Sequence, residues 1–168
     1  MGTTTFTGAV RSESTFKTVS KDSTSGAITE VATIGDGPVS LADGNVTLTN
    51  ATHSGRILLV PDGGQDNTYT LPAPIAGSVF RFVYAGGAAD ATDALIVTPG
   101  NTNFYIGGVT FLDTDNEVSA VFSDGNSNSS FKANVPAGFQ ITFIGLDSTN
   151  YQIFGTVTGA TAPAFADQ

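Results

Sequence analysis

The chain has 168 residues, of which 40% are hydrophobic, and this is enough apolar material to bury the core of a single domain. Fifteen Asp and Glu residues outnumber six Lys and Arg residues, and the resulting formal net charge of -9 argues against nucleic acid and anionic membranes as partners. The absence of cysteine excludes disulfides, thiolate metal ligands and cysteine nucleophiles.

The sequence divides into three segments of different composition. Residues 1–15 are rich in Thr and Ser and predict an extended N-terminal arm. Residues 16–157 predict a β domain, because apolar residues alternate along short runs and turn signals such as Asp-Gly recur about every 8–12 residues. Residues 158–168, rich in Gly, Ala and Pro, predict a C-terminal tail.

The alternating pattern predicts about eleven strands and essentially no helix. Phe139, Ile141 and Phe143 share one face of their strand, with Gln140 and Thr142 on the other. In chain order the predicted strands are Phe16–Ser20, Ile28–Ile34, Val46–Leu48, Arg56–Val60, Thr68–Leu71, Ser78–Tyr84, Ala94–Thr98, Val109–Leu112, Ser119–Phe122, Phe139–Leu146 and Tyr151–Val157.

These strands indicate an all-β fold, in the form of an antiparallel β-sandwich, a jelly roll or a barrel-like domain with extended arms at both ends. The run Ser78–Tyr84 is largely apolar on both faces, so we expect a central strand that is covered on both sides. The pattern leaves the order of the strands in the sheets open.

The two terminal segments hold isolated apolar residues in polar surroundings. Such segments cannot offset their own ordering entropy, so they are either disordered or dock onto a neighbouring subunit. In the second case the residues expected to contact the partner are Phe6, Val10, Arg11, Phe16 and Phe165.

No constellation of reactive side chains predicts an enzyme. His53 is the single histidine, and no serine lies in a nucleophile elbow, so we assign no catalytic residue and no cofactor. Asp113, Asp115 and Glu117 alternate along one turn and are candidate Ca²⁺ ligands, because alternate carboxylates can converge on a cation. The other interpretation of these three residues is a solvated turn.

Two stretches of the sequence resemble structural proteins of tailed bacteriophages. Thr4-Thr5-Phe6-Thr7-Gly8-Ala9-Val10-Arg11-Ser12, running into Phe16–Val19, resembles the opening of small phage structural proteins. The second pattern is similar to a β module of phage capsid-decoration and tail-fibre proteins, many of which carry Trp in place of Tyr151. It comprises Tyr69-Thr70-Leu71-Pro72-Ala73-Pro74, Gly77–Phe82, Ala94–Val97, Phe139–Phe143 and Asp147–Ile153.

The resemblance implies a virion structural protein, most like a capsid decoration or cement protein. Such a protein would bind the outer surface of the capsid, commonly as a homotrimer, and would bridge subunits of the major capsid protein to stabilise the shell. The resemblance implies no catalytic residue, and the acidic composition is consistent with a protein that repels nucleic acid.

Three alternatives belong to other classes. A tail-fibre or tail-tip subunit for host attachment would share the β module, although the sequence contains no coiled-coil heptad. A carbohydrate-binding module would use Tyr84, Tyr105 or Tyr151 as a sugar platform, whereas tyrosines in strands more often pack in a core. An enzyme of unrecognised type is the least favoured.

Overall fold

The computed structural model describes residues 16–34, 37–87, 92–115 and 117–168, and their regular structure is almost entirely β. This confirms the all-β prediction, and all eleven predicted strands are present. The strands are β1 (Phe16–Lys21), β2 (Ile28–Ile34), β3 (Val39–Ser40), β4 (Val46–Thr47), β5 (Ile57–Val60), β6 (Asn67–Thr70), β7 (Val79–Tyr84), β8 (Ala94–Val97), β9 (Phe104–Asp113), β10 (Val118–Phe122), β11 (Ser130–Ala133), β12 (Pro136–Gly145), β13 (Asn150–Gly159) and β14 (Ala164–Ala166).

Two large sheets face each other, and a separate hairpin lies beside them. The seven-stranded sheet has the order β10-β9-β13-β12-β7-β5-β3, and the five-stranded sheet has the order β14-β11-β8-β6-β4. Strands β1 and β2 form a two-stranded antiparallel hairpin. The buried side chains of both large sheets form one hydrophobic cluster, so the domain is a β-sandwich.

The sheets are mixed, whereas the sequence predicted an antiparallel domain. From β3 to β8 consecutive strands alternate between the two large sheets. Each of these strands therefore runs in the same direction as the previous strand of its own sheet. The neighbouring pairs β3/β5, β5/β7, β4/β6 and β6/β8 are parallel. A two-layer coil of this kind needs no tight hairpin between paired strands, and for that reason its turn signals do not reveal which strands pair.

Aromatic rings from both sheets fill the core. Tyr69 of the five-stranded sheet meets Phe82 of the seven-stranded sheet with ring centroids 6.1 Å apart, and Phe82 also contacts Phe143 edge-on at 5.6 Å. Tyr105 lies 5.2 Å from Phe143. Burial of these large side chains is the main source of stability for a domain that has no disulfide.

Strand β7 is central in its sheet, as predicted, between β12 and β5. Phe80 and Phe82 are fully buried on its inner face. Its other face is not covered, however, because Arg81 is exposed and Val79 and Val83 are only half-buried. The expectation of a strand covered on both sides is therefore wrong for this face.

The C-terminal residues belong to the sandwich, and the predicted free tail over 158–168 is wrong. Strand β13 continues to Gly159, and β14 pairs with β11 at the edge of the five-stranded sheet. Phe165 packs against Phe131 and Tyr105, with centroid distances of 5.1 and 6.4 Å. The last residue, Gln168, donates from Nε2 to the carbonyl oxygen of Thr98 at 2.9 Å.

The regular helix within the described residues is one turn long. Helix α1 (Asn50–His53) begins after Thr49, whose hydroxyl accepts a hydrogen bond from the backbone N–H of Thr52. It lies against β2 of the hairpin and leads into β5. The prediction of essentially no helix holds apart from this turn.

Candidate interaction face

The outer face of the seven-stranded sheet is an extended surface almost without charge. We define it by the side chains that point away from the core in the pairing register. They are Val118, Ala120 and Phe122 of β10, Phe104, Ile106, Thr110 and Leu112 of β9, Asn150, Gln152, Phe154, Thr156 and Thr158 of β13, Gln140, Thr142 and Ile144 of β12, Val79, Arg81 and Val83 of β7, Ile57 and Leu59 of β5, and Ser40 of β3.

The charge distribution sets this outer face apart from the rest of the molecule. Among the described residues of these strands, Arg81 is its one charged member and no carboxylate points outward, although the chain has fifteen Asp and Glu residues. Uncharged polar, aliphatic and phenylalanine side chains fill the remaining positions. A surface that lacks charge and carries exposed apolar groups is typical of a protein–protein contact.

Apolar exposure on the outer face is concentrated at the β10 edge. Phe122 is 71% exposed, Val118 is 70% exposed and Phe154 is 47% exposed. Phe122 is paired with Gly108, and the register of β9 and β13 places Phe154 beside Gly108 on the other side. The two phenylalanines therefore flank one glycine in a single row across three strands.

Gly108 makes room for this arrangement. A Cβ atom at residue 108 would lie 2.8 Å from Cδ1 of Phe122 and 2.3 Å from the carbonyl oxygen of Val121. The Phe122 ring thus lies over the backbone of β9, where a side chain would push it away. The glycine pair Gly107-Gly108 keeps the apolar end of the outer face flat.

The carboxylates occupy turns, where they bind backbone N–H groups. Asp22, Asp124 and Asp147 each accept from the residues two and three positions later, and Asp124 Oδ1 receives the N–H groups of Asn126 and Ser127 at 3.1 and 3.0 Å. Hydrogen bonds from Ser127, its hydroxyl first, hold the pKa of Asp124 well below its usual value. The Asn150 side chain and nearby N–H groups lower the pKa of Asp147.

These turns predict a loss of stability in acid. Because the folded-state pKa values of Asp124 and Asp147 are lowered, their contribution is present above the unfolded value near 3.8 and is lost as the pH falls through the folded values. We expect the double variant Asp124→Asn/Asp147→Asn to be less stable than the wild type at pH 7, and the difference to shrink at pH 3. Urea unfolding of both proteins at the two pH values measures this, and an equal difference at both would contradict it.

The arm residues predicted from the sequence are separated by the structure. Phe6, Val10 and Arg11 lie outside the described residues. Phe16 begins β1 and is 47% exposed, so it is available for a contact. Phe165 is instead part of the core of its own chain, because β14 places its ring against Phe131, and its assignment as an arm contact is wrong.

The candidate Ca²⁺ ligands do not form a site. Asp113, Asp115 and Glu117 lie in the turn between β9 and β10, where Asp113 Oδ1 accepts the backbone N–H of Asp115 at 2.9 Å. In the described part of the chain no group of three or more His, Asp or Glu side chains is arranged to hold a metal ion. The alternation of carboxylates therefore reflects turn geometry.

His53 is held in place by helix α1. Its Nδ1 accepts the backbone N–H of Thr49 at 3.0 Å. Partial burial, reinforced by the nearby Arg56 cation, lowers the pKa of His53 and so favours the neutral ring. The described contacts of this histidine serve to close the helical turn.

Two of the three tyrosines considered as sugar platforms are inaccessible. Tyr105 and Tyr151 are fully buried, and their hydroxyls donate to the carbonyl oxygens of Ile96 and Pro72 at 3.1 and 3.0 Å. Burial raises the pKa of both tyrosines. Tyr84 is half-buried, and its ring lies 5.6 Å from that of Phe139.

The residues that carry the phage resemblance have structural roles. The Tyr151 hydroxyl donates to the carbonyl oxygen of Pro72, so β13 and the Leu71-Pro72 segment are in contact. Asp147 closes the turn that precedes this strand by accepting the N–H of Asn150 at 2.7 Å. In this chain these motif residues therefore hold neighbouring segments of the fold together.

The chain matches no protein-family model, and none of the curated proteins is significantly similar to it. Where the structure describes the chain, no helix has the length and apolar composition needed to cross a membrane. Function is therefore inferred from the outer face, from the free edges of the sheets and from the resemblance of the sequence.

Proposed function

We propose that this chain is a non-enzymatic virion structural protein that decorates the outside of a phage capsid and cements it by bridging subunits of the major capsid protein. The outer face of the seven-stranded sheet is the observation that carries the proposal. It offers a broad surface on which Arg81 is the one charged side chain and Phe122 and Phe154 are exposed, while the carboxylates of Asp22, Asp124 and Asp147 lie in turns.

The physical chemistry of a shell protein supports this assignment. An uncharged, partly apolar sheet face can be covered by another protein without leaving a buried unpaired carboxylate, which would cost several kcal/mol. The acidic remainder of the chain, with a net charge of -9, repels nucleic acid. Many identical weak contacts on one shell reinforce each other, so that a single contact of modest affinity is sufficient.

The alternatives receive less support from the geometry. A carbohydrate-binding module needs an exposed aromatic platform, and Tyr105 and Tyr151 are fully buried. A tail-fibre or tail-tip subunit shares the resemblance, and its copy number in the virion would distinguish it from a decoration protein. For the alternative of an enzyme, the one histidine of the chain, His53, forms its described side-chain hydrogen bonds within its own helical turn.

A charge placed on the outer face tests the proposal. Thr110 is exposed in the middle of the apolar end, and we expect Thr110→Asp to weaken binding to capsids stripped of the chain at least about tenfold, because the carboxylate would be desolvated in the contact. Thr47 is an exposed threonine on the outward side of the five-stranded sheet, where it pairs with Thr70, so Thr47→Asp is the matched control. Co-sedimentation with the stripped capsids measures both affinities.

We expect Thr47→Asp to bind with the wild-type affinity. Equal binding by the wild type and by both variants would contradict a role for the outer face. Equal weakening by the two variants would show only a general effect of added negative charge. Circular dichroism and thermal unfolding check that each variant keeps the β fold.

A further inference from the structure

Strand β1 is exposed along its entire length. All six of its residues are exposed, with Phe16 at 47% and Val19 at 55%, and Ile28 of the partner strand is 66% exposed. The hairpin is attached to the sandwich through β2, which lies against α1 and buries Val31. Because an isolated two-stranded hairpin is marginally stable in water, a further strand on β1 would stabilise it.

Strand β10 is an unprotected edge of the seven-stranded sheet. Its five residues, Val-Ser-Ala-Val-Phe, contain no charge, glycine or proline, which are the devices that usually block edge pairing. The other outer strands of the two large sheets are shorter: β3 and β4 have two residues each, and β14 has three. Pro38 precedes β3 and Pro163 precedes β14 by one residue. Three edges are therefore protected, whereas no strand among the described residues pairs with the outer side of β10.

The backbone groups of β10 that face outward can be identified from its pairing. The carbonyl oxygen of Glu117 and the N–H of Ser123 both bond to β9, so the alternate residues 118, 120 and 122 direct their N–H and C=O groups away from it. In the same way, the N–H of Asp22 bonds to Ala27 across the hairpin. Lys17, Val19 and Lys21 of β1 therefore direct their backbone groups away from β2.

The charge of β1 complements the acidic flanks of β10. Strand β1 carries Lys17 and Lys21 and no carboxylate. Lys17 is ion-paired with Glu30 of β2 at 3.0 Å, so Lys21 is the main source of positive charge on this strand. Strand β10 is uncharged but lies between Glu117 on one side and Asp124 on the other. Two copies of β10 paired with each other would bring these acidic flanks together, whereas β1 brings cations to them.

We propose that β1 of one copy of this chain pairs with β10 of the next copy. The two free edges would then form one ladder, and the hairpin would extend the seven-stranded sheet of its neighbour. Each copy uses two different surfaces, so the contact is head-to-tail and is satisfied when a small number of copies closes into a ring. This inference concerns the chain by itself and is independent of the proposed capsid role.

Proline substitutions test the pairing without disturbing the ladders inside one copy. Ala120→Pro removes the central outward N–H of β10, and Val19→Pro removes that of β1. We expect the wild type to be oligomeric by light scattering after size exclusion, and each variant alone to be monomeric. An equimolar mixture is expected to form heterodimers, because the intact β1 of the Ala120→Pro variant can pair with the intact β10 of the Val19→Pro variant.

Three results would overturn the proposal. A monomeric wild type excludes the contact, and so does an oligomer that survives both substitutions. A Val19→Pro variant that remains oligomeric while Ala120→Pro is monomeric would show that β10 pairs with another β10. Ala120→Val and Val19→Ile keep the N–H groups and should remain oligomeric.

A second pair of variants covers the case in which a proline prevents folding. Ala120→Lys and Val19→Glu retain every backbone donor. The first sets a cation against the lysines of β1, and the second sets a carboxylate against the acidic flanks of β10. Each is expected to be monomeric alone and to form heterodimers on mixing, as with the prolines. All of these measurements use the purified chain without capsids, so failure of the pairing and failure of the decoration role are separate outcomes.

Discussion

Phe143→Ala is expected to lower the free energy of unfolding by about 3–5 kcal/mol, the usual loss for a large aromatic removed from a packed core. Phe143 is fully buried on β12, in the middle of the seven-stranded sheet. Its ring contacts Phe82 at 5.6 Å and Tyr105 at 5.2 Å, so alanine would leave a cavity lined by aromatic rings. Urea unfolding followed by circular dichroism measures the loss.

The matched control for this substitution is Phe122→Ala. Phe122 is 71% exposed on the outer face, so its removal should change stability by no more than about 0.5 kcal/mol. A similar loss for both variants would contradict the assignment of an inner core face and an outer contact face. In the capsid-binding assay we expect Phe122→Ala to weaken binding more than Phe143→Ala does, because Phe122 belongs to the proposed contact and Phe143 does not.

Gly155→Ala is expected to cost at least about 2 kcal/mol, from backbone strain together with overpacking. Gly155 lies within β13 at a φ of 152°, a conformation that side chains disfavour. A Cβ atom there would come within 2.2 Å of the carbonyl oxygen of Gln140 and 2.8 Å of Cα of Ile141, both in the neighbouring strand. Because these are backbone atoms in a ladder, relief of the contact requires the strands to separate.

Gly138 provides the comparison on the neighbouring strand. A Cβ atom at residue 138 meets nothing within 4 Å, so Gly138→Ala should be neutral or stabilising by up to about 1 kcal/mol. Thermal unfolding of both variants tests the pair. Equal changes in melting temperature for the two variants, or a Gly155→Ala protein as stable as the wild type, would mean that β12 and β13 do not approach each other as closely as described.

The strands could be predicted from the sequence where their apolar residues alternate regularly. Phe139, Ile141 and Phe143 face the core, and Gln140 and Thr142 face outward, as the period of two requires. Strand β9 was predicted to begin at Val109 but begins at Phe104, because Gly107 and Gly108 look like a break in the pattern. The structure keeps them in a strand, since the Phe122 ring needs the space above Gly108.

The elements that the sequence did not predict depend on contacts between distant residues. Strands β11 and β14 have only four and three residues. Strand β11 pairs with β8 on one side and with β14 on the other, and β14 is a strand because it pairs with β11. For the same reason Phe165, which looks isolated in its segment, lies against Phe131. Local composition cannot report a partner more than thirty residues away.

The candidate outer face could be predicted from the sequence only in part. Its individual residues could be assigned to one side of each strand from the alternation alone. Their combination into one surface without a carboxylate depends on the parallel pairing among strands β3 to β8 and on the parallel pairing of β9 with β13, which no turn signal indicates. The Asp-Gly turn signal at Asp124-Gly125, in contrast, is confirmed, because the Asp124 carboxylate accepts the N–H of Ser127 in a turn.

The most direct test of the decoration role is the copy number of this chain in purified virions, measured by quantitative mass spectrometry against the major capsid protein. A protein that covers the capsid is expected in a simple, fixed ratio to the major capsid protein, and mild removal of the chain should make the capsid less resistant to heat. A handful of copies per virion would place the chain in the tail, and its absence from virions would contradict the proposed function altogether.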